Sequence, residues 1–227
     1  MLVKRTISVV IAVISCCSCF AQAKVGFFAG PQTSTVQYKI QDVKQSSEAK
    51  YGFHAGVGMK VDFEERLYFF PAISYSKAGY KVAFNRQAIP PDSSAKDNNT
   101  SLHEVDLDLH LQVDLGKQLG HFFLRGGPSF NIIASGKEKF HVNSGETIDR
   151  KMKLGLYSPY GRFLVSAVAA LGYETASGFY VNLQYAHGLT SINNADDGPQ
   201  ILQRVIGLNM GIFLHSKKIV LDTRNKE

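Results

Sequence analysis

Hydrophobic and polar residues alternate strictly along the segment Leu102–Leu115. One phase is wholly aliphatic and comprises Val105, Leu107, Leu109, Leu111, Val113 and Leu115. The other phase is polar and comprises Glu104, Asp106, Asp108, His110, Gln112 and Asp114. A period of two is that of a β-strand, whereas a helix would place carboxylates on every face. The segment is therefore predicted to be a strand whose two faces meet different surroundings.

Seven further segments of similar length repeat this pattern. They are Val25–Val36, Tyr51–Phe63, Arg66–Lys81, His121–Ser135, Pro159–Glu174, Phe179–Leu189 and Leu202–Leu214. The links after the second, fourth and sixth strands are short, and the others are longer, notably Ala83–Ser101 and Gly136–Ser158. This alternation is typical of barrels in the bacterial outer membrane. We predict an all-β fold, an eight-stranded antiparallel up-and-down transmembrane β-barrel with short periplasmic turns and longer extracellular loops.

A soluble barrel is the alternative, because strands that are half exposed to water alternate in the same way. In that case the aliphatic phase points inward, and the chain is a periplasmic, lipocalin-like barrel that binds a small apolar ligand. The two predictions differ in the burial of Leu107, Leu109 and Leu111 against Asp106 and Asp108. Beyond its N-terminal segment the chain has no apolar run long enough for a membrane helix. A membrane-spanning structure must then be a closed barrel.

The first residues are typical of an export signal. Lys4 and Arg5 supply positive charge, Thr6–Phe20 is apolar, and Ala21–Ala23 places small residues at the cleavage-determining positions. We expect cleavage after Ala23. The predicted organisation is a signal peptide over residues 1–23, an outer-membrane barrel over residues 24–214 and a short periplasmic tail over residues 215–227.

The three cysteines, Cys16, Cys17 and Cys19, all lie within this signal segment. Cleavage after Ala23 therefore leaves a mature chain without cysteine. The alternative is that Val13–Cys16 serves as a lipoprotein cleavage site, which would leave a lipidated Cys16 at the mature N-terminus.

Composition and charge change this picture little. With 15 Phe, 10 Tyr and no Trp, the chain suits aromatic-rich strands. The formal net charge is +6, but no basic stripe with interleaved aromatics follows a single element, so no nucleic-acid binding is expected. Basic residues fit a phosphate-rich lipid surface instead. Outer-membrane lipid is thus the expected partner.

The row of carboxylates on the strand Leu102–Leu115 is the candidate for chemistry. Carboxylates two residues apart on a strand lie about 6.5 to 7 Å from one another, too far to share an ion without ligands from other strands. Pairing with basic residues in the lumen phase of other strands is favoured over a metal site. The predicted lumen charge network comprises Lys60, Glu104, Asp106, Asp108, Asp114, Arg125 and Arg162.

No catalytic residue, cofactor or metal is expected. His54, His110 and Ser166 are present, but no nucleophile-elbow motif surrounds any serine, so the chain is not expected to be an enzyme. An eight-stranded barrel is just wide enough for side chains to fill it, so a porin role is not expected either.

Three segments carry a family resemblance. They are GFFAGPQTS at Gly26–Ser34, FFLRGGPSFNIIASG at Phe122–Gly136 and GFYVNLQYAHGLTSI at Gly178–Ile192. With Gly126–Pro128 and Tyr185–Thr190 as their most specific pieces, they resemble the PorT-like outer-membrane β-barrel domain family. The resemblance implies a small outer-membrane barrel without catalytic residues, in a family of which one member is linked to secretion and assembly of exported proteins. We predict a structural or interaction role, with lipid and other envelope or secretion proteins as partners.

Overall fold

The structure is a computed structural model that describes residues 23–214 except 85–94, 117, 143, 156 and 196–197. Residues 1–22 of the predicted signal peptide and the predicted tail over residues 215–227 lie outside the described residues. The described part contains ten strands: β1 (Lys24–Ile40), β2 (Val43–Lys44), β3 (Ser46–Glu64), β4 (Leu67–Ala83), β5 (Ala95–Asp114), β6 (His121–Val142), β7 (Thr147–Lys151), β8 (Phe163–Glu174), β9 (Phe179–Gly188) and β10 (Gln200–Phe213).

Eight of these strands, among the described residues, form a closed antiparallel ring. Each long strand pairs with the next along the chain, and β10 returns to pair with β1, where Met210 lies opposite Ala29. β2 and β7 lie outside the ring as short hairpin partners of β1 and β6. Closure leaves no unpaired sheet edge in the ring. The predicted eight-stranded antiparallel barrel is confirmed.

The aliphatic phase of each strand faces outward. Leu107, Leu109 and Leu111 are 45%, 36% and 49% exposed, whereas Glu104 and His110 on the opposite face are buried. The lipocalin-like alternative required the leucines inside, and it is therefore wrong. Lipid covers this outer face because closed barrels satisfy their backbone groups between strands and present side chains to the membrane.

Aromatic side chains border the outward aliphatic band on both sides. At the end of the strands that leads into the long connections lie Tyr51, Phe53, Tyr75, Phe163 and Tyr185. At the end with the short turns lie Phe27, Phe63, Phe122, Tyr173 and Phe179. Such girdles mark the two membrane–water interfaces of an outer-membrane barrel. The membrane-spanning part of the strands therefore lies between the two sets.

Beyond the extracellular girdle the strands continue as hairpins. Tyr80 pairs with Thr100 and Lys139 pairs with Asn99, so β4, β5 and β6 extend well into the links predicted from sequence. The prediction of irregular links is wrong for residues 95–101 and 136–142. Their Ser, Asn and Lys content is typical of loops, but adjacent strands satisfy the backbone groups of the extension. The predicted start of the sixth strand of the barrel is also wrong, since this strand, β8, begins at Phe163 rather than Pro159.

Candidate functional site

An ionic cluster lies at the periplasmic end of the lumen. The ammonium of Lys60 donates hydrogen bonds to Asp114 Oδ2 and Glu174 Oε2, each at 2.7 Å. His121 Nε2 lies 2.9 Å from Asp114 Oδ2. The ligand atoms of Asp114, His121 and Glu174 all lie within 4.8 Å of one another. Such a cluster of ligand atoms could hold a cation, and the Lys60 ammonium occupies that position.

An aromatic layer follows next along the barrel axis, formed by Phe70, Phe123, Tyr180 and Phe213. Tyr180 stacks on Phe213 with 4.8 Å between ring centroids. Glycine at position 58 leaves room for the layer, because a Cβ there would lie 2.6 Å from the Phe70 ring. The guanidinium of Arg125 lies 3.5 Å from the Phe70 ring centroid and donates two hydrogen bonds to Gln112 Oε1. This arrangement buries a cation among rings, which attract it through their π faces.

A polar cavity of about 60 Å³, termed the chamber, occupies the middle of the lumen. β5 contributes Glu104, Asp106, Asp108 and His110 to its wall. The other polar side chains of the wall are Gln32, His54, Ser74, Ser76, Arg125, Ser129, Asn131, Ser166, Asn182, Gln184, Gln203 and Asn209. Amide groups from β6 and β10 reach the acids: Asn131 donates to Asp106 at 2.8 Å, and Gln203 donates to Glu104 at 3.3 Å.

The structure divides the charge network that was predicted from sequence. Lys60 lies with Asp114, while the other three acids of the row lie in the chamber. Arg125 lines the chamber but directs its hydrogen bonds to Gln112. Arg162 was predicted in the lumen and is exposed instead, because it precedes the first residue of β8 in a bend. Placing Arg162 in the lumen was wrong.

A buried apolar cluster, termed the plug, lies on the extracellular side of the chamber. It consists of Val36, Tyr38, Ile40, Tyr80, Val82, Leu102, Ile133, Met152, Leu164, Ile192 and Ile201. Met152 and Ile192 come from the long connections, so these connections fold back over the barrel mouth. Buried side chains therefore fill the lumen on both sides of the chamber, as expected for so narrow a barrel.

A buried carboxylate ties the extracellular β6–β7 hairpin to the connection that follows it. Glu138 is fully buried; its Oε1 accepts a hydrogen bond from the Tyr160 hydroxyl at 2.7 Å and its Oε2 accepts one from Arg150 at 2.9 Å. Arg150 also donates to the Tyr160 oxygen at 3.2 Å. Burial and the adjacent Glu138 carboxylate raise the pKa of the Tyr160 hydroxyl above its usual range. These three side chains are termed the hairpin lock.

Lysines concentrate on the outward face just beyond the extracellular aromatic girdle. This basic collar consists of Lys50, Lys77, Lys81, Lys137, Lys139 and Lys151. Lys50 is held in place by hydrogen bonds to Asn99 Oδ1 at 2.8 Å, Ser101 Oγ at 2.6 Å and the Thr100 carbonyl at 3.1 Å. Burial and the charges of Lys77 and Lys81 lower the pKa of Lys50 below its usual range. The collar thus brings several positive charges close together, and a bound anion would reduce the repulsion between them.

Two buried carboxylates of the candidate site, Glu174 and Glu138, were missed by the reasoning from sequence. Glu174 is the last residue of β8, and the alternation of that strand places it in the lumen phase with Ser166. That signal was sufficient to find it. Glu138 had no such signal, because the segment around it was assigned to an irregular link.

The family of the chain follows from a comparison with known protein families. A model of the outer membrane protein beta-barrel domain matches residues 20–194. The chain belongs to this family. The barrel accordingly resides in the bacterial outer membrane, which agrees with its lipid-facing band and its aromatic girdles. In the described part of the chain, no helix has the length and hydrophobicity to cross a membrane.

Several solved structures are similar to the barrel, and two of them illustrate the similarity. One is Ail, the attachment invasion locus protein of Yersinia pestis, in complex with the heparin analogue sucrose octasulfate; it is 13% identical, with a TM-score of 0.44 over 85% of this chain and 99% of that chain. The other is Neisserial surface protein A (NspA), which is 11% identical, with a TM-score of 0.40 over 83% of this chain and 97% of that chain. Among curated protein sequences there is no significant match.

Proposed function

We propose that this barrel is a structural and interaction protein of the outer membrane whose basic collar binds phosphate groups of outer-leaflet lipid. The observation that carries the proposal is the fixed Lys50 ammonium beside Lys77 and Lys81. Three hydrogen bonds hold it at the level where the apolar band ends. They use all three donors of the ammonium, so Lys50 attracts phosphate through its charge. Lysine is a common phosphate ligand, and clustered basic residues next to a membrane recognise anionic headgroups.

The charge balance of the collar supports an anionic partner. The described outward carboxylates nearest to it are Glu48, which lies opposite Lys81, Asp97, which binds His141, and Asp149, which lies 3.9 Å from Lys139. The lysines outnumber these carboxylates. The collar therefore carries a net positive charge.

The filled lumen supports an interaction role over transport. The plug and the aromatic layer pack side chains across the barrel on either side of the chamber, which measures only about 60 Å³. Solute-conducting porins are wider barrels with water-filled interiors. The outer surface and the extracellular hairpins are then where the protein meets partners.

Binding of lipid phosphate tests the proposal. The folded barrel in detergent is titrated with lipid A and with lipid A from which the phosphates have been removed. We expect Lys50→Gln to weaken binding of the phosphorylated form several-fold, and Lys50→Gln combined with Lys77→Gln and Lys81→Gln to abolish the preference for it. Lys44→Gln, an exposed lysine on β2, is the matched control and should leave binding unchanged. Equal binding of both lipids by the unaltered barrel would overturn the proposal.

Assistance to the secretion or assembly of exported proteins is the second candidate. The PorT-like motifs favour it: Gly126 and Tyr185 are both paired with Ala169, so the two most specific pieces of the resemblance flank the same strand. Deleting the gene should then cause specific exported proteins to accumulate in the periplasm, with restoration by the unaltered chain. An unchanged set of surface and secreted proteins would contradict this role.

A further inference from the structure

The chamber contains more acidic than basic groups. Glu104, Asp106 and Asp108 line it, and Arg125 supplies the guanidinium that faces them. Lys60 does not line the chamber, because Asp114 and Glu174 bind it at the periplasmic end. With all three carboxyl groups ionised, two negative charges have no counter-charge. Such charges are costly in a closed interior unless they are paired or bind a metal.

Polar atoms in the chamber wall point to a ligand. Glu104 is 3% exposed and its Oε1 has no hydrogen-bond partner among the described residues. His110 is 4% exposed, and its Nε2 is also without a hydrogen bond within the described part of the chain. Buried polar groups in folded proteins nearly always have a partner. The Glu104 oxygen indicates a group that is bound against it, whereas His110 lies about 20 Å further along the same strand and is too distant to share that group.

We propose that the chamber binds one hydrated divalent cation of the calcium or magnesium class. Carboxylate and amide oxygens are the ligands that these ions prefer, and Glu104, Asp106 and Asn131 present them. One divalent ion balances the two unpaired negative charges. The site does not depend on lipid binding by the collar.

The dimensions of the chamber fit a hydrated ion. A cavity of about 60 Å³ holds an ion with a few waters, whereas pockets for organic ligands measure about 300 to 1,000 Å³. The carboxylates follow one another at strand spacing, about 6.5 to 7 Å, so they bind the ion together only through water and side chains from other strands. The serine hydroxyls of Ser74 and Ser76 and the amide of Gln203 line the same cavity and meet this need.

The periplasmic cluster is a weaker cation site, although its ligand atoms lie closer together. Lys60 already bridges Asp114 and Glu174 at 2.7 Å to each. A metal ion there would have to displace a buried ammonium. Arg125 faces the chamber acids but directs its hydrogen bonds to Gln112, so it bridges no pair of them. Changing the carboxylates should therefore remove the metal at the chamber and not at the periplasmic cluster.

Refolding with and without the ion tests the proposal. The full mature barrel is unfolded in urea with EDTA and refolded in detergent with calcium, with magnesium or with EDTA. Bound metal is counted by mass spectrometry after gel filtration, and the temperature at which gel mobility changes is recorded. We expect about one divalent ion per chain and a higher transition temperature with the ion than with EDTA.

Variants locate the ion. Glu104→Gln with Asp106→Asn keeps side-chain size and should lose both the retained metal and the response to EDTA. Asp97→Asn, at an exposed carboxylate bound to His141, and Asp114→Asn, in the periplasmic cluster, should both retain the metal. A metal-free unaltered barrel with the same transition temperature in EDTA would overturn the proposal, as it would mean that the chamber acids are protonated. Loss of metal in Asp114→Asn alone would overturn it too. The metal count of the unaltered barrel decides the matter even if the double variant fails to fold.

Discussion

Lys60 is the residue on which the periplasmic end of the lumen depends. Its ammonium bridges two buried carboxylates and lies 4.2 Å from the Tyr68 ring centroid. Lys60→Met should lower the free energy of unfolding by about 3 to 5 kcal/mol, because it leaves Asp114 and Glu174 without their counter-charge. Urea unfolding of the detergent-refolded barrel measures this. Lys139→Met, which breaks an exposed pair with Asp149 at 3.9 Å, should cost only about 0 to 1 kcal/mol. Equal costs for both variants would contradict the role assigned to Lys60.

Periodicity located these residues but not their partners. A period of two determines which face a side chain joins, so it placed Lys60, Asp114 and Arg125 in the lumen. Contacts across the lumen depend on the tilt and shear of the closed barrel, which are properties of all its strands together and not of the pattern of one strand. Lys60 therefore pairs with Glu174 on β8 rather than with the chamber acids, and the chamber could not be predicted.

The hairpin lock operates at the scale of an element, since it fastens the β6–β7 hairpin to the chain that follows. Tyr160→Phe removes the hydroxyl that donates to Glu138, a hydrogen bond to a charged group worth about 1.5 to 3 kcal/mol. We expect faster trypsin cleavage after Lys151 and Lys153, with little change in the transition temperature of the barrel. Tyr157→Phe is the matched control, because Tyr157 is fully exposed and should have no effect.

The same lock predicts a pH dependence. The folded-state pKa of Tyr160 is raised, so its contribution is complete below the unfolded tyrosine pKa of about 10 and declines as the pH rises further. Cleavage of the unaltered chain should therefore accelerate above about pH 10, and Tyr160→Phe should show a weaker pH response. Strand periodicity did not reveal this element, because the outward phase of the hairpin is basic, with Lys137 and Lys139, and lacks the apolar outward residues of the spanning part.

The topology of the whole molecule predicts which turns face the cell exterior. We propose that residues 1–23 are removed as a signal peptide, which leaves a chain without cysteine and allows single cysteines to report on sidedness. Ser144→Cys, at the exposed turn of the β6–β7 hairpin, should react with an impermeant maleimide on intact cells. Ser177→Cys, in the exposed β8–β9 turn, should react only after the outer membrane is permeabilised.

The unaltered chain is the blank in this experiment, and it also tests how the N-terminus is processed. N-terminal sequencing should begin at Lys24, and the blank should stay unlabelled in permeabilised cells. Incorporation of labelled fatty acid would show instead that Cys16 is retained and lipidated. Labelling of Ser177→Cys on intact cells would show that the barrel has the opposite orientation, with the basic collar in the periplasm. The collar would then lie away from the outer-leaflet lipid phosphates, so this one measurement bears on both the fold and the proposed function.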